Sequence, residues 1–318
     1  MLTPTFKGSS NLILDRRKFL SVAAGLIAAG MLPKHVLALA GPYTFKQGNF
    51  DITVVSDGTL MLPLSVVSPD AKPEDLAVLL GAQVQGDKAQ FEVSPLLLKS
   101  GSDVILLDTG AGGNMSPTAG KLAESLKATG TEPGAITKVI YTHAHPDHLW
   151  GTIGGDGKSV FANASFHVAE AEWNFWVAED LVSKMPKDME GMVKGIQGQL
   201  AAIKEKVTMF KPGSELVSGL NVIDTAGHTP GHVSFELAGG DGLVITGDAI
   251  TNPAVFFAHP DWKFGFDADG ATAAASRKKL LDMAASGKKK MLGYHWPYPG
   301  LGMAEAKDGA YVYVPQST

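Results

Sequence analysis

Cysteine is absent from all 318 residues. That excludes disulfides, thiolate metal ligands and a cysteine nucleophile, so any metal must be held by nitrogen and oxygen atoms. Clustered positive charge is scarce too. Past residue 40 the only basic runs are two triplets, Arg277-Lys278-Lys279 and Lys288-Lys289-Lys290, and the net charge of the whole chain is −5. Nucleic-acid binding through phosphates needs a basic face, so the sequence argues against that partner. Linkers, low-complexity tracts and tandem repeats are also missing. With 45% hydrophobic and 19% charged residues, ordinary values for a globular protein, one compact domain is the economical reading.

The longest apolar stretch covers residues 19–32, shorter than the roughly 20 residues needed to span a bilayer. It follows Asp15-Arg16-Arg17-Lys18 and leads through Pro33 to Ala38-Leu39-Ala40. A basic start, a short apolar centre and an A-x-A site are expected to form a secretory leader, and the paired arginines point to the twin-arginine route. An uncleaved N-terminal anchor is the bland alternative. The expected division is a leader over residues 1–40 and a single domain over 41–318, exported to the periplasm or secreted, with no stable membrane insertion afterwards. Losing the leader removes five basic residues (Lys7, Arg16, Arg17, Lys18, Lys34) against one acidic (Asp15), leaving a more acidic protein.

Past residue 40, short apolar runs keep ending in polar groups. Residues 104–107 run into Asp108-Thr109-Gly110, and residues 138–142 run into His143-Ala144-His145-Pro146-Asp147-His148. Residues 219–224 lead to Gly227-His228-Thr229-Pro230-Gly231-His232. Residues 242–246 end at Gly247-Asp248, and 291–294 at His295. Residues 121–127 and 272–285 have helical spacing, and 233–237 with 242–246 read as a hairpin. Polar groups just beyond strand ends are how a layered α/β protein builds a site at one edge of its sheets. Between residues 169 and 209 lie Trp173, Phe175, Trp176, Met185, Met189 and Met192. These read equally as helical core or as an adaptable apolar wall over a pocket.

Three histidines and an aspartate within six positions after a strand rarely gather without a cation to compensate them. Pro146 argues against one helix through the cluster, so a loop is expected to turn the side chains inward. With His228, Asp248 and His295 the candidates number seven: His143, His145, Asp147, His148, His228, Asp248 and His295. That is enough for two ions with three or four protein ligands each, an arrangement suited to hydrolysis. Imidazole and carboxylate suit zinc first, with manganese, iron or cobalt as alternatives.

These motifs, in this order, resemble the metallo-β-lactamase superfamily. The resemblance implies an α+β fold, a four-layer αββα sandwich with two metals at one edge. It implies that His143, His145 and His228 hold one ion, that Asp147, His148 and His295 hold the other, and that Asp248 bridges them. His232 and Asp108 match positions that support the ligands rather than bind metal.

Departures within the superfamily narrow the activity. True β-lactamases lack the bridging aspartate held here by Asp248. Flavin-linked di-iron members carry an acid near Pro146 and an added flavin domain, and nucleic-acid-processing members carry further domains or basic surfaces. What remains resembles glyoxalase II-like thioesterases, N-acyl-homoserine lactonases and methyl parathion hydrolase with its aryl-lactone-cleaving relatives. Ser56-Asp57-Gly58-Thr59-Leu60, Phe266-Asp267-Ala268-Asp269 and His295-Trp296-Pro297-Tyr298-Pro299-Gly300-Leu301-Gly302 carry the likeness to the last group.

The expected activity is a di-zinc hydrolase opening acyl-homoserine or aryl lactones or cleaving esters, with organophosphate triester hydrolysis as a side activity. Asp147 or Asp248 would hold or shuttle the proton. Trp173, Trp176, Phe257 and Trp296 would line a pocket for a small apolar substrate, and the resemblance adds a homodimer. The competing activities are a glyoxalase II-like thioesterase, for which no cationic patch is found, a β-lactamase, and a non-hydrolytic metal-dependent oxidoreductase.

Overall fold

The structure is a computed structural model that describes residues 41–113 and 115–316. The expected leader, residues 1–40, lies outside the described residues. The first half of the chain forms β1 (Tyr43–Gln47), β2 (Phe50–Val54), β3 (Gly58–Pro63), β4 (Val84–Gln85), β5 (Lys88–Val93), β6 (Leu96–Ser100), β7 (Asp103–Leu107), β8 (Lys138–Ile140), β9 (Ser165–Ala169) and β10 (Val207–Phe210). The second half forms β11 (Glu215–Val217), β12 (Leu220–Asp224), β13 (Val233–Leu237), β14 (Leu243–Ile245), β15 (Lys290–Leu292), β16 (Leu301–Lys307) and β17 (Ala310–Pro315).

Two seven-stranded sheets result, ordered β1-β2-β6-β7-β8-β9-β10 and β11-β12-β13-β14-β15-β16-β17. Strands β7 to β10 run parallel, as do β14 and β15, and the remaining pairs in these two sheets are antiparallel. A small sheet, β3-β5-β4, stands beside them.

The central strands are apolar on both faces because both faces are covered. On β6 and β7, Leu96, Leu98, Ile105 and Leu107 point inward to meet Val222, Phe235, Leu243 and Leu292 of the other sheet. The intervening Leu97 and Leu106 point outward, onto a helical layer supplied by Leu126, Trp176, Val193, Ile196 and Leu200. On the second sheet, Val244 and Met291 face outward onto Leu280, Leu281 and Ala284 of the helix Gly270–Ser286. Alternation with period two therefore yields helix, sheet, sheet, helix. The stretch from 169 to 209 is helical core: Trp176, Val193 and Ile196 are buried, and Met185 and Met192 pack against them.

No single helix runs through the cluster, but Pro146 opens a short one within it. The proline sits at the first position of the one-turn helix Pro146–Leu149, where its missing N–H costs nothing. His143 and His145 precede that turn in extended chain, while Asp147 and His148 lie on it.

The middle layer is as closely buried as the outer ones. Leu98→Ala, at a fully buried inward position, is expected to lower the unfolding free energy by about 2–5 kcal/mol. Val312→Ala, 42% exposed on β17, should stay within about 0.5 kcal/mol of the parent. Urea denaturation of both variants checks the contrast.

Candidate metal centre

All the candidate ligands follow strand ends at one edge of the two sheets. Residues 143–148 come after β8, His228 after β12, Asp248 in the turn Gly247–Ile250 after β14, and His295 after β15. Two glycines let the His228 turn approach its supports. A Cβ on Gly227, at φ 131°, would lie 2.2 Å from the backbone N of Ala273. One on Gly231 would lie 2.0 Å from the backbone N of Glu172. Helices Gly270–Ser286 and Glu170–Trp176 thus grip this turn from two sides through bare backbone.

The structure brings the seven candidates together in overlapping groups whose ligand atoms lie within 4.8 Å of one another: His143, His145 and His228; His143, His148 and Asp248; Asp147, His148 and His295. The Nδ1 atom of His145 is 2.9 Å from Nε2 of His228. His295 Nε2 is 3.2 Å from Asp147 Oδ2. Asp248 stands between the first and last groups, its Oδ2 3.3 Å from His228 Nε2 and 3.4 Å from His295 Nε2, and its Oδ1 3.3 Å from His148 Nε2.

A layer of second contacts orients the rings. His148 Nδ1 donates to Asp108 Oδ2 at 2.8 Å, and Asp108 also accepts from the backbone N–H and hydroxyl of Thr142. Asp108 reaches them from the left-handed region, at φ 60°, a strained conformation for a residue with a Cβ. His228 Nδ1 donates to Asp267 Oδ1 at 3.1 Å, His295 Nδ1 to the Glu92 carbonyl at 2.6 Å, and His143 Nδ1 to Thr142 Oγ1 at 3.0 Å. With Nδ1 occupied, the Nε2 atoms of these four rings face the ligand groups, and those of His143 and His148 have no hydrogen-bond partner. His232 binds from behind: its Nε2 accepts the Asp248 backbone N–H at 2.9 Å and its Nδ1 meets Thr225. It braces Asp248 rather than joining the ligand groups.

The electrostatics suit a cation. Burial, then His148 and His145, push His143 well below the usual imidazole range, and burial with His228 brings His145 down to about 3. Burial opposes ionisation of Asp248, yet His295 and His148 hold its carboxyl well below the usual carboxylate range. Burial opposes protonation of His148 and His295 as well, yet Asp248 and Asp147 push His148 well above the usual imidazole range and His295 up to about 10, so positive charge is drawn to where the two carboxylates lie. Three of the cluster's buried atoms, His143 Nε2, His148 Nε2 and Asp248 Oδ1, have no hydrogen-bond partner. Each such atom costs about 1–3 kcal/mol if left bare. A divalent ion bound by imidazole and carboxylate would satisfy all three, so these residues fit zinc-type ions.

The aromatic pocket residues are placed differently from expectation. Phe257 and Trp296 are not substrate-facing. They are fully buried in the outer core of the second sheet, ring against ring at 5.4 Å, with the Trp296 indole donating to the Ile250 carbonyl. Apolar sequence could not separate core from pocket here. Trp176 is also buried, edge-on to His145 at 5.9 Å, and Trp173 is half-buried against the first helical layer.

Two residues with structural weight were not singled out by sequence. One is Arg277, wholly buried, whose Nε donates to the Ala249 carbonyl at 2.9 Å and whose Nη2 is 3.5 Å from Asp267 Oδ2. The other is Glu172, buried under the residue 143–148 loop. A charged side chain inside a helix carries no sequence mark of burial.

Because bare ligand atoms penalise the empty cluster, zinc is expected to raise the melting temperature of chelator-stripped protein. At a thousandfold excess over its dissociation constant, each ion adds about 4 kcal/mol. Calorimetry with and without zinc checks this, and an unchanged melting temperature would exclude a cation site here.

Comparison with known proteins agrees with this geometry. The chain matches the family model of the metallo-beta-lactamase superfamily over residues 90–295. It is 28% identical over 193 residues to metallo-beta-lactamase domain-containing protein 1 of Xenopus laevis, covering 58% of this chain and 67% of that protein. Among solved structures it is similar to AidC, a dizinc quorum-quenching lactonase in complex with a product, at TM-score 0.82 and 30% identity. That match covers 88% of this chain and 99% of the other. The hydrolase AbOPH matches at TM-score 0.81 with the same identity and coverage. Layered fold, clustered ligands and matched segment converge: the chain belongs to the metallo-β-lactamase superfamily.

Proposed function

We propose that this protein is a binuclear, zinc-dependent hydrolase that opens lactones, with N-acyl-homoserine and aryl lactones as the substrate class. The observation that carries this reading is Asp248, one carboxylate placed within 3.4 Å of imidazole nitrogens from both outer ligand groups. The likeness at 30% identity to a dizinc quorum-quenching lactonase supports the choice of lactone over other esters.

In this reading His143, His145 and His228 would hold one ion, Asp147, His148 and His295 would hold the other, and Asp248 would serve both. Such a pair of ions supplies an acidified water and a Lewis acid for the ester carbonyl. The chain's own groups do the rest. The Asp147 carboxylate is the proton site we assign, because its side chain is the more open of the two, 12% against 5% exposed. It can take a proton from the attacking water and return it to the alkoxide released by ring opening. Phe264 beside His228, at 5.9 Å, and Phe91 beside His295, at 6.1 Å, give these ligands apolar neighbours and limit access of bulk water. An apolar setting strengthens every charge interaction within it.

The paired arginines and A-x-A site of residues 1–40 support the further proposal that the enzyme is exported folded. Among the described residues no helix is long and apolar enough to cross a membrane.

A hydrolysis panel on zinc-loaded protein tests the substrate class. N-acyl-homoserine and aryl lactones should be cleaved with higher kcat/KM than thioesters, β-lactams or phosphotriesters. His143→Ala and Asp248→Ala should each lose at least about a hundredfold in kcat/KM with the far-ultraviolet circular dichroism unchanged. A thioester or β-lactam preferred to every lactone would contradict the assignment.

A further inference from the structure

Glu172 lies in no ligand group, yet it is fully buried and its carboxylate accepts four hydrogen bonds. Oε1 takes the backbone N–H of Ala144 at 2.8 Å and the Trp176 indole N–H at 2.7 Å. Oε2 takes the Thr229 hydroxyl at 2.6 Å and the Gly231 backbone N–H at 3.1 Å. Ala144 sits between His143 and His145, and Thr229 follows His228. One carboxylate therefore ties together the two chain segments, 84 positions apart at His145 and Thr229, that carry the all-histidine group. The approach is close enough that Gly231 has no room for a Cβ.

The other outer group has its own tie. The Tyr294 hydroxyl donates to the Asp147 carbonyl at 2.7 Å, and its ring stacks on His148 at 3.9 Å between centroids. This joins the His295 segment to the segment of Asp147 and His148. Neither tie shares a hydrogen-bond partner with the other.

We propose that Glu172 is a positioning residue that fixes the gap between the His143–His145 segment and the His228 segment, and so sets cation affinity at the His143, His145, His228 site separately from its neighbour. The proposal rests on the two-cation reading above. Tyr294 holds the corresponding place for the Asp147, His148, His295 site. In Glu172→Gln the amide must present its NH2 to one pair of donors. The Thr229 hydroxyl can turn to accept, but the Gly231 and Ala144 N–H groups cannot, so one segment is pushed away from the other.

Metal-free protein titrated with zinc against a chromophoric chelator resolves the two binding steps, and His228→Ala and His295→Ala identify which step belongs to which site. Glu172→Gln should weaken the step that His228→Ala removes by about tenfold to a hundredfold and leave the other within about twofold. Tyr294→Phe should do the reverse. Thr229→Val, which removes one of the four bonds, should move the same step as Glu172→Gln by a smaller factor, and it carries the test if Glu172→Gln shows no cooperative melt. A merely structural role would lower the melting temperature and shift both steps together or neither, and either result overturns the proposal. If the parent protein itself takes up fewer than two ions, the two-cation reading fails first and takes this inference with it. Two ions in the parent with no selective loss in the variants overturns the inference alone.

Discussion

Five imidazoles and two carboxylates are confined at one nearly closed edge of a double sheet, and several of their ligand atoms have no partner in the protein. Left alone, such a cluster is unstable: burial strips water from each group, and like groups crowd one another. Divalent cations resolve the conflict by converting bare lone pairs into ligands. The remaining architecture can be understood as what it takes to hold these groups in place until the cations bind.

Holding them is a division of labour between sheets and a second ring of acids. The strands deliver each ligand just past a C-terminal end, where the chain is free to turn. Rigidity comes from the acids behind: Asp108 on His148, Asp267 on His228, and Glu172 under the 143–148 loop. Asp267 is itself held by the buried Arg277, which also grips the turn carrying Asp248 through the Ala249 carbonyl. Helix Gly270–Ser286 therefore acts on the site at long range, through Arg277 to Asp267 and through bare backbone to Gly227. Removing such a buried partner leaves a charge unpaired, which typically costs about 3–5 kcal/mol.

Much of this was legible in the residues. Strands β7, β8, β12 and β14 follow from short apolar runs, and the ligands follow from polar groups clustered after them. The helix expected at 272–285 is observed at Gly270–Ser286, capped by Asp269. Pro146 does keep one helix from running through the cluster, but it also opens the one-turn helix that carries Asp147 and His148, because proline suits a first turn. Phe257 and Trp296 read as pocket walls in sequence because large apolar side chains look alike whether they face substrate or core. Glu172 and Arg277 were invisible for the opposite reason: charged residues read as surface, and only long-range partners reveal that they are buried. His232 and Asp108 were read as supports, and their bonds to Asp248 and His148 show what they support.

The central claim is that two cations sharing Asp248 are the working unit for lactone opening. The most direct measurement is hydrolysis rate against zinc equivalents, starting from metal-free protein and an N-acyl-homoserine lactone. The account predicts negligible activity without metal and a rate that climbs to a plateau at two equivalents per chain. Full activity in verified metal-free protein would contradict it.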